Sequence, residues 1–148
     1  MSGNTDKVSR IYGKCSKCCI PYSQVSSVQA LATHRVIFEY KHWVIYINVF
    51  CFVHRRFETW CAEKIYASFS DLTDPTIRAK VLNNNSIWIS CSSYSEVMFT
   101  DKFKFVSRLM FLNEIIDHLM GLKDNYNPIM DNCEHFKVDF WDWLKTNT

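Results

Sequence analysis

The chain has 148 residues and a formal net charge of +2, with 48% hydrophobic, 16% aromatic and 22% charged residues. A chain of this length and composition can bury a sizeable core, which excludes an intrinsically disordered protein and predicts a single domain. Only three glycines occur, and none lies in a glycine-rich loop that would cradle phosphate groups. Nucleotide chemistry is therefore not expected, and we predict no cofactor.

Seven cysteines, an odd number, occur in a chain whose polar N-terminus has no apolar signal segment. This usage indicates free thiols in a reducing compartment rather than a disulfide framework. The longest apolar run, 43–53, is broken by Asn48 and is far shorter than the ~20 residues of a membrane-spanning helix. We therefore expect a soluble cytoplasmic protein without a transmembrane segment.

Residues 1–33 are polar and rich in serine, and we expect them to form a partly ordered N-terminal arm before a folded domain at 34–148. The arm is basic, and two adjacent arginines follow the apolar segment. Phosphate contacts require clusters of Lys and Arg, although most such clusters are solvated surface. The candidate contacts to RNA are Lys7, Arg10, Lys14, Lys17, Arg55 and Arg56.

Three cysteines of the arm lie in the run Cys15-Ser16-Lys17-Cys18-Cys19. One Cys-x-x-Cys pair without a second pair at zinc-finger spacing is weak evidence for a metal. Reduced thiols in a partly ordered arm are the preferred interpretation, so we predict no metal site.

Branched and aromatic residues between 36 and 54 are typical of β-strands, which we expect at 36–40, 42–47 and 49–54. If the chain turns at Asn48, His42 and His54 become directly opposed in a hairpin, with Cβ atoms roughly 5 Å apart. If one straight strand continues through Asn48, the two histidines lie about 40 Å apart and share no site. The position of this turn therefore decides whether the histidines form a pair.

The rest of the chain alternates between helical and strand-like patterns. Apolar spacing predicts a helix at 56–70 and a more regular one at 107–120 that ends at Gly121. A final helix is expected to bury Phe136, Phe140, Trp143 and Leu144. Short strands are expected at 76–81, 86–91 and 94–99. The predicted fold class is α+β, an antiparallel sheet of four to six strands with packed helices.

Cys133 lies between Asn132 and the start of the final predicted helix. Unpaired backbone N–H groups and the helix dipole at such a position favour a thiolate, which is the nucleophilic form of cysteine. The alternative is an inert buried cysteine, which is the more common role of a free thiol. A reactive Cys133 needs a base, and the histidines upstream are the candidates.

Two sequence blocks carry a family resemblance. The block His42-Trp43-Val44-Ile45-Tyr46, a second histidine twelve positions later, and Asn132-Cys133-Glu134-His135-Phe136 near the C-terminus resemble the lecithin:retinol acyltransferase-like family. That family is a circularly permuted relative of the NlpC/P60 and papain-like thiol enzymes. The resemblance implies a permuted NlpC/P60 fold. It covers about three quarters of the chain.

The resemblance also implies roles for particular residues. His42 corresponds to the general base, Cys133 to the acyl-accepting nucleophile, and His54 to the histidine that orients or polarises the first. The remaining motif residues are expected to support the site without reacting, and they are Asn132, Glu134 and His135.

Within this family, the small size, the serine-rich arm and the lack of a C-terminal hydrophobic anchor are most similar to the H-box/NC non-structural proteins of picornaviruses, particularly the parechovirus type. This implies a viral protein that supports replication in the host cytoplasm, including at replication sites, by binding host proteins or viral RNA without turnover. The alternative is an active Cys/His phospholipase or acyltransferase that forms a Cys133 thioester with phospholipid esters. A thiol protease or amidase is a third hypothesis.

Overall fold

The structure is a computed structural model that describes residues 15–33, 43–64, 87–91, 98–122 and 133–148. Within these ranges, five strands form one antiparallel sheet in the order β4-β3-β2-β1-β5. The strands are β1 (Ser23–Thr33), β2 (Trp43–Cys51), β3 (Arg56–Lys64), β4 (Ile87–Ser90) and β5 (Met98–Phe105). The helical elements are a 3-10 segment (Lys17–Tyr22), α1 (Leu112–Met120) and α2 (Cys133–Asn147). The predicted α+β class is confirmed.

Strand β1 lies inside the sheet, between β2 and β5. Its Val25, Val28, Ala30 and Ala32 are buried, and a bulge between Val25 and Ser27 keeps the apolar residues on one face. This corrects the predicted arm, because its residues from Cys15 onward belong to the folded domain. The serine-rich composition predicts a partly ordered arm, but polar and apolar residues interleave along β1 and its apolar side chains are buried.

The three helical elements pack on one face of the sheet and form the main core with it. Helix α1 contributes Leu112, Ile115, Ile116 and Leu119, and α2 contributes Phe136, Phe140, Trp141 and Leu144. Each such side chain contributes about 1.5–3 kcal/mol when fully buried. The predicted apolar face of α2 is thus confirmed, except that Trp143 is only partly buried. The face of the first helix is confirmed from Leu112 onward, whereas Leu109, inside the predicted range 107–120, precedes α1 and is 65% exposed.

Strand β2 runs without a turn from Trp43 to Cys51, so the predicted hairpin at Asn48 is wrong. Asn48 pairs with Ser27 of β1 and Thr59 of β3. Its side-chain amide donates to Ser27 Oγ at 3.1 Å, and its Oδ1 accepts from Thr59 Oγ1 at 2.9 Å. Both strand neighbours satisfy the amide, so it can occupy the middle of a strand. The turn instead lies at 52–55.

Strand β3 occupies the first part of the predicted helix 56–70, and that prediction is wrong for 56–64. The residues that face the core are Glu58, Trp60, Ala62 and Lys64, all buried. Two charged residues in this alternating set hide the strand period, while the spacing of Phe57, Trp60 and Cys61 imitates a helix. Pairing with β2 along its whole length decides the outcome.

Helix α1 begins at Leu112, five residues after the predicted start at 107. The residues before it run along β1, because Val25 N–H donates to Met110 O at 2.8 Å and Phe111 forms a bridge with Gln24. The Glu114 carboxylate then accepts a hydrogen bond of 3.1 Å from Phe111 N–H and caps the helix start. The predicted end at Gly121 is confirmed.

The other predicted strands have different outcomes. Strand β4 confirms the prediction at 86–91, whereas β5 begins at Met98 and extends beyond the predicted end at 99. The predicted strands at 36–40 and 76–81 lie outside the described residues.

Candidate metal centre and the Cys133 helix

The turn between β2 and β3 and the 3-10 segment meet at one end of the sheet. Phe52 N–H donates to Tyr22 O at 3.0 Å, and Ser23 Oγ donates to Cys19 O at 2.8 Å. These bonds hold the end of the 3-10 segment against the turn. As a result, Cys15 and Cys19 approach Cys51 and His54, which lie more than thirty residues later in the chain.

The four side chains form a compact cluster. His54 Nδ1 lies 3.6 Å from the Sγ atoms of Cys15, Cys19 and Cys51. All four atoms lie within 4.8 Å of one another. The three cysteines form no disulfide and are completely buried, whereas His54 is exposed. One imidazole nitrogen has either one N–H or one lone pair, so three equal contacts cannot all be ordinary hydrogen bonds.

Cys18 does not belong to the cluster. Its side chain is exposed, and its Sγ lies 2.9 Å from Ser16 Oγ. The fold therefore selects the Cys15-x-x-x-Cys19 spacing and not the Cys15-x-x-Cys18 pair that the sequence suggested. The sequence interpretation also missed Cys51 and assigned His54 to a different site. The available signal was a second short pair, Cys51-x-x-His54.

The thiols of the cluster differ in proton affinity. A hydrogen bond with Cys91, followed by burial, raises the pKa of Cys15 above its usual range, and burial raises the pKa of Cys19. Burial also acts to raise the pKa of Cys51, but hydrogen bonds from the backbone and side chain of His54 outweigh it and lower this pKa to about 7. The backbone nitrogen of His54 lies 3.5 Å from Cys51 Sγ, to which its N–H donates.

A second layer of polar side chains lies behind the cluster. Cys91 is buried and interacts with Cys15, and its thiol donates to Glu58 Oε2 at 3.9 Å. The other oxygen of Glu58 forms an ion pair with Arg56. A chain of contacts thus leads from Arg56 at the surface to the buried thiols.

Cys133 is the first residue of α2, as the sequence predicted, and it is buried. One turn later, Lys137 Nζ lies 3.8 Å from the centre of the Trp43 ring and 3.3 Å from Asp101 Oδ2. These contacts hold the start of α2 over the end of the sheet where β2 begins. Glu134 and His135 are exposed on α2, and His42 and Asn132 lie outside the described residues.

His54 lies at the other end of β2. The nine residues from Trp43 to Cys51 form one strand, which spans about 26 Å at roughly 3.3 Å per residue. His54 follows that strand, whereas the start of α2 packs beside Trp43. The turn at Asn48 on which the predicted pairing of His42 with His54 depends is therefore absent, and His54 contacts the three buried cysteines instead.

The face of the sheet opposite the helices carries aromatic residues. Phe50 and Phe57 are paired with ring centres 5.2 Å apart, and Phe103 and Phe105 are 4.7 Å apart on β5. Phe57 and Phe105 are 72% and 74% exposed. We call these four phenylalanines the open face.

The basic residues predicted to contact RNA are only partly described. Lys17 and Arg55 are exposed, and Arg56 is paired with Glu58. The other predicted RNA contacts lie outside the described residues, and they are Lys7, Arg10 and Lys14.

Comparison with protein-family models, with curated proteins and with solved structures found no match for this chain. Among the described helices, none combines the length and the apolar character that a bilayer-spanning helix requires. The chemistry of the cysteine cluster and of the Cys133 helix therefore follows from the geometry of each site.

Proposed function

We propose that this chain is an H-box/NC domain of the lecithin:retinol acyltransferase-like type, in which Cys133 is the acyl-accepting nucleophile and His42 is its base. The supporting observation is the position of Cys133 at the start of α2, one turn before Lys137. Because Lys137 lies on the ring of Trp43 and His42 directly precedes Trp43 in the chain, the thiol lies at the end of β2 that carries the proposed base. The permuted NlpC/P60 topology is part of this proposal.

The proposed reaction is acyl transfer from a lipid ester. His42 takes the proton of the Cys133 thiol, and the thiolate forms a C–S bond with the ester carbonyl carbon. Backbone N–H groups at the start of α2 stabilise the oxyanion. The C–O bond of the ester then breaks, the leaving alkoxide takes the proton from the imidazolium, and water or an amine resolves the thioester.

The proposal departs from the family in the role of the second histidine. His54 belongs to the cysteine cluster and takes no part in acyl transfer. The narrower prediction, a picornaviral non-structural protein acting in the host cytoplasm, stays part of the proposal and rests on the sequence.

The experiment is the rate of Cys133 alkylation by iodoacetamide as a function of pH. Quantifying the Cys133 peptide by mass spectrometry separates this thiol from the other six. In the wild type, we expect Cys133 to react at pH values well below the ordinary cysteine pKa of about 8.5. In His42→Ala, this reactivity at low pH should be lost. His54→Ala is the matched control and should retain the low-pH reactivity.

A rate that rises only near the ordinary thiol pKa in all three proteins would contradict the proposed dyad. A second measurement tests turnover. Incubation with phosphatidylcholine vesicles should give an acyl adduct on Cys133 that is absent in Cys133→Ser, and the lack of an adduct in a protein with an activated thiol would exclude phospholipid esters as the substrate.

The open face favours a second function, binding of single-stranded RNA without turnover. Exposed aromatic rings on an antiparallel sheet are platforms on which bases stack, and each stacked base contributes about 1–3 kcal/mol. The two pairs of rings lie on the same face of the sheet, on either side of β1. Exposed Arg55 lies in the turn beside Phe57 and supplies charge for a phosphate.

Fluorescence anisotropy with a labelled oligouridine tests this function. Phe57→Ala and Phe105→Ala should each weaken binding about 5- to 100-fold, and Leu109→Ala, which removes an exposed apolar side chain outside the open face, should leave it unchanged. Binding that is absent, or equal in all three variants, would remove this second function and leave the acyl-transfer proposal untouched.

A further inference from the structure

The spacing of the four clustered donor atoms matches a metal coordination shell. In tetrahedral zinc sites the Zn–S distance is about 2.3 Å and the Zn–N distance about 2.0–2.1 Å, which places sulfur and nitrogen about 3.6 Å apart and two sulfurs about 3.8 Å apart. His54 Nδ1 lies 3.6 Å from each of the three sulfurs. All pairs of donor atoms lie within 4.8 Å.

We propose that Cys15, Cys19, Cys51 and His54 bind one Zn²⁺ ion in a tetrahedral Cys3His site. This site is independent of the proposed acyl transfer, because it lies at the opposite end of β2 from Cys133. The donors come from two short pairs, Cys-x-x-x-Cys and Cys-x-x-His, each within one tight local segment. Two such pairs from distant parts of a chain are the usual construction of a structural zinc site.

The donor set identifies the class of metal. Three thiolates and one imidazole are soft and borderline ligands that favour zinc over magnesium or calcium, which prefer oxygen. Four protein ligands leave no open position for water or substrate, so the site is structural rather than catalytic. Three completely buried thiols without a disulfide also fit a buried cation, whose charge stabilises the thiolates.

A bound zinc ion would link the segment that precedes β1 to the end of β2 and the turn that follows it. Cys19 lies in the 3-10 segment that leads directly into β1, and Cys15 lies two residues before that segment. Cys51 is the last residue of β2, and His54 lies in the turn that follows. The backbone N–H of His54 is directed at Cys51 Sγ at 3.5 Å, as expected for a donor that stabilises a bound thiolate. The contact between Cys91 and Cys15 makes Cys91 a positioning residue for the site.

The first test adds Co²⁺, a spectroscopic substitute for Zn²⁺, to the metal-free full-length chain under reducing conditions. We expect one Co²⁺ per chain, with the intense visible bands of tetrahedral cobalt and a thiolate-to-cobalt charge-transfer band in the near ultraviolet. Added Zn²⁺ should displace the cobalt and remove both signals. A chain that takes up no cobalt, or gives only the weak spectrum of octahedral cobalt, would overturn the proposal.

Variants of the cysteines locate the site. Cys19→Ser should weaken Zn²⁺ binding more than roughly 100-fold, beyond the ~10–100-fold typical of residues that only position ligands. Cys18→Ser is the matched control, because Cys18 is adjacent in sequence but exposed. Cys61→Ser is a buried control on the other face of the sheet. Loss of binding in Cys18→Ser with binding retained in Cys19→Ser would refute the assignment.

His54→Cys keeps the proposal falsifiable if a serine variant fails to fold. This variant replaces nitrogen with sulfur and should still bind Co²⁺, with a stronger charge-transfer band from four thiolates. X-ray absorption of the zinc-loaded wild type should give three sulfurs at about 2.3 Å and one nitrogen at about 2.0–2.1 Å. An unchanged cobalt spectrum in His54→Cys, or a shell dominated by oxygen, would exclude His54 as a ligand.

Discussion

Replacing Asn48 with glycine distinguishes a strand through this residue from a turn at it. In a hairpin turn that needs positive φ, glycine is at least as good as asparagine. In the middle of β2, glycine removes the amide that donates to Ser27 Oγ and accepts from Thr59 Oγ1. It also increases the freedom of the unfolded chain. We therefore expect Asn48→Gly to destabilise the protein.

The size of this effect follows from the contacts. Each lost side-chain hydrogen bond costs about 0.5–1.5 kcal/mol, and glycine within a strand costs roughly 0.5–1 kcal/mol relative to alanine. The free energy of unfolding should fall by about 1.5–4 kcal/mol, measured by urea denaturation at constant zinc concentration. Asn48 is only half-buried, which favours the lower part of this range.

Arg55→Gly is the matched control. Arg55 has a φ of 54° in the turn at 52–55, and a left-handed conformation costs a non-glycine residue about 1–2 kcal/mol. Glycine should therefore be neutral or stabilising at 55 and costly at 48. The opposite result, with Asn48→Gly neutral and Arg55→Gly destabilising, would refute the position of the turn and bring the pairing of His42 with His54 back into consideration.

Two further predictions concern the helices. Lys137→Ala removes the contact with the Trp43 ring and the ion pair with Asp101, so the free energy of unfolding should fall by about 1–3 kcal/mol. The exposed Lys145→Ala is the control and should lower it by less than about 0.5 kcal/mol. Equal losses in urea denaturation would contradict the role of Lys137 in anchoring α2. Burial lowers the pKa of His118 and outweighs the opposite effect of the Asp139 charge. The imidazole therefore binds a proton more readily in the unfolded state than in the folded state. The stability from this group is present above pH ~6.5 and falls as pH drops below that value. Urea denaturation at pH 7.5 and 5.5 should show a smaller loss in His118→Phe than in the wild type.

The fold class was predictable because strand and helix patterns are local properties of the sequence. The helix α2 shows this most clearly, since Phe136, Phe140 and Leu144 recur at helical spacing and are all buried. The misplaced elements are those where pairing across the sheet outweighs local pattern. The local sequence favours a turn at Asn48, because nothing local reveals the hydroxyls of Ser27 and Thr59 that form hydrogen bonds with its side chain.

The cysteine cluster was not predictable from one segment. The sequence groups Cys15 and Cys19 with Cys18 in a polar arm, because Cys51 and His54 lie more than thirty residues later in the chain. The two half-sites are visible in the sequence as short pairs, but their meeting depends on two particulars of the fold. The 3-10 segment must turn Cys18 outward, and the strand must continue past Asn48 so that the turn falls at His54.

The family motif would place His54 in the same site as Cys133, whereas here the length of β2 separates the two residues. About 26 Å of strand lies between the Trp43 end, where α2 begins, and the cluster of His54. At about 26 Å and an effective dielectric constant of about 20, a unit charge changes the energy of a thiolate by only about 0.6 kcal/mol, so the charge of a bound metal has little direct effect on the Cys133 thiol. His54→Ala should therefore lose Zn²⁺ and some stability while the pH profile of Cys133 alkylation stays unchanged in the folded protein. If His54→Ala instead shifts that profile and retains zinc, His54 serves the thiol and not the metal, and the assignment of both sites must be reversed.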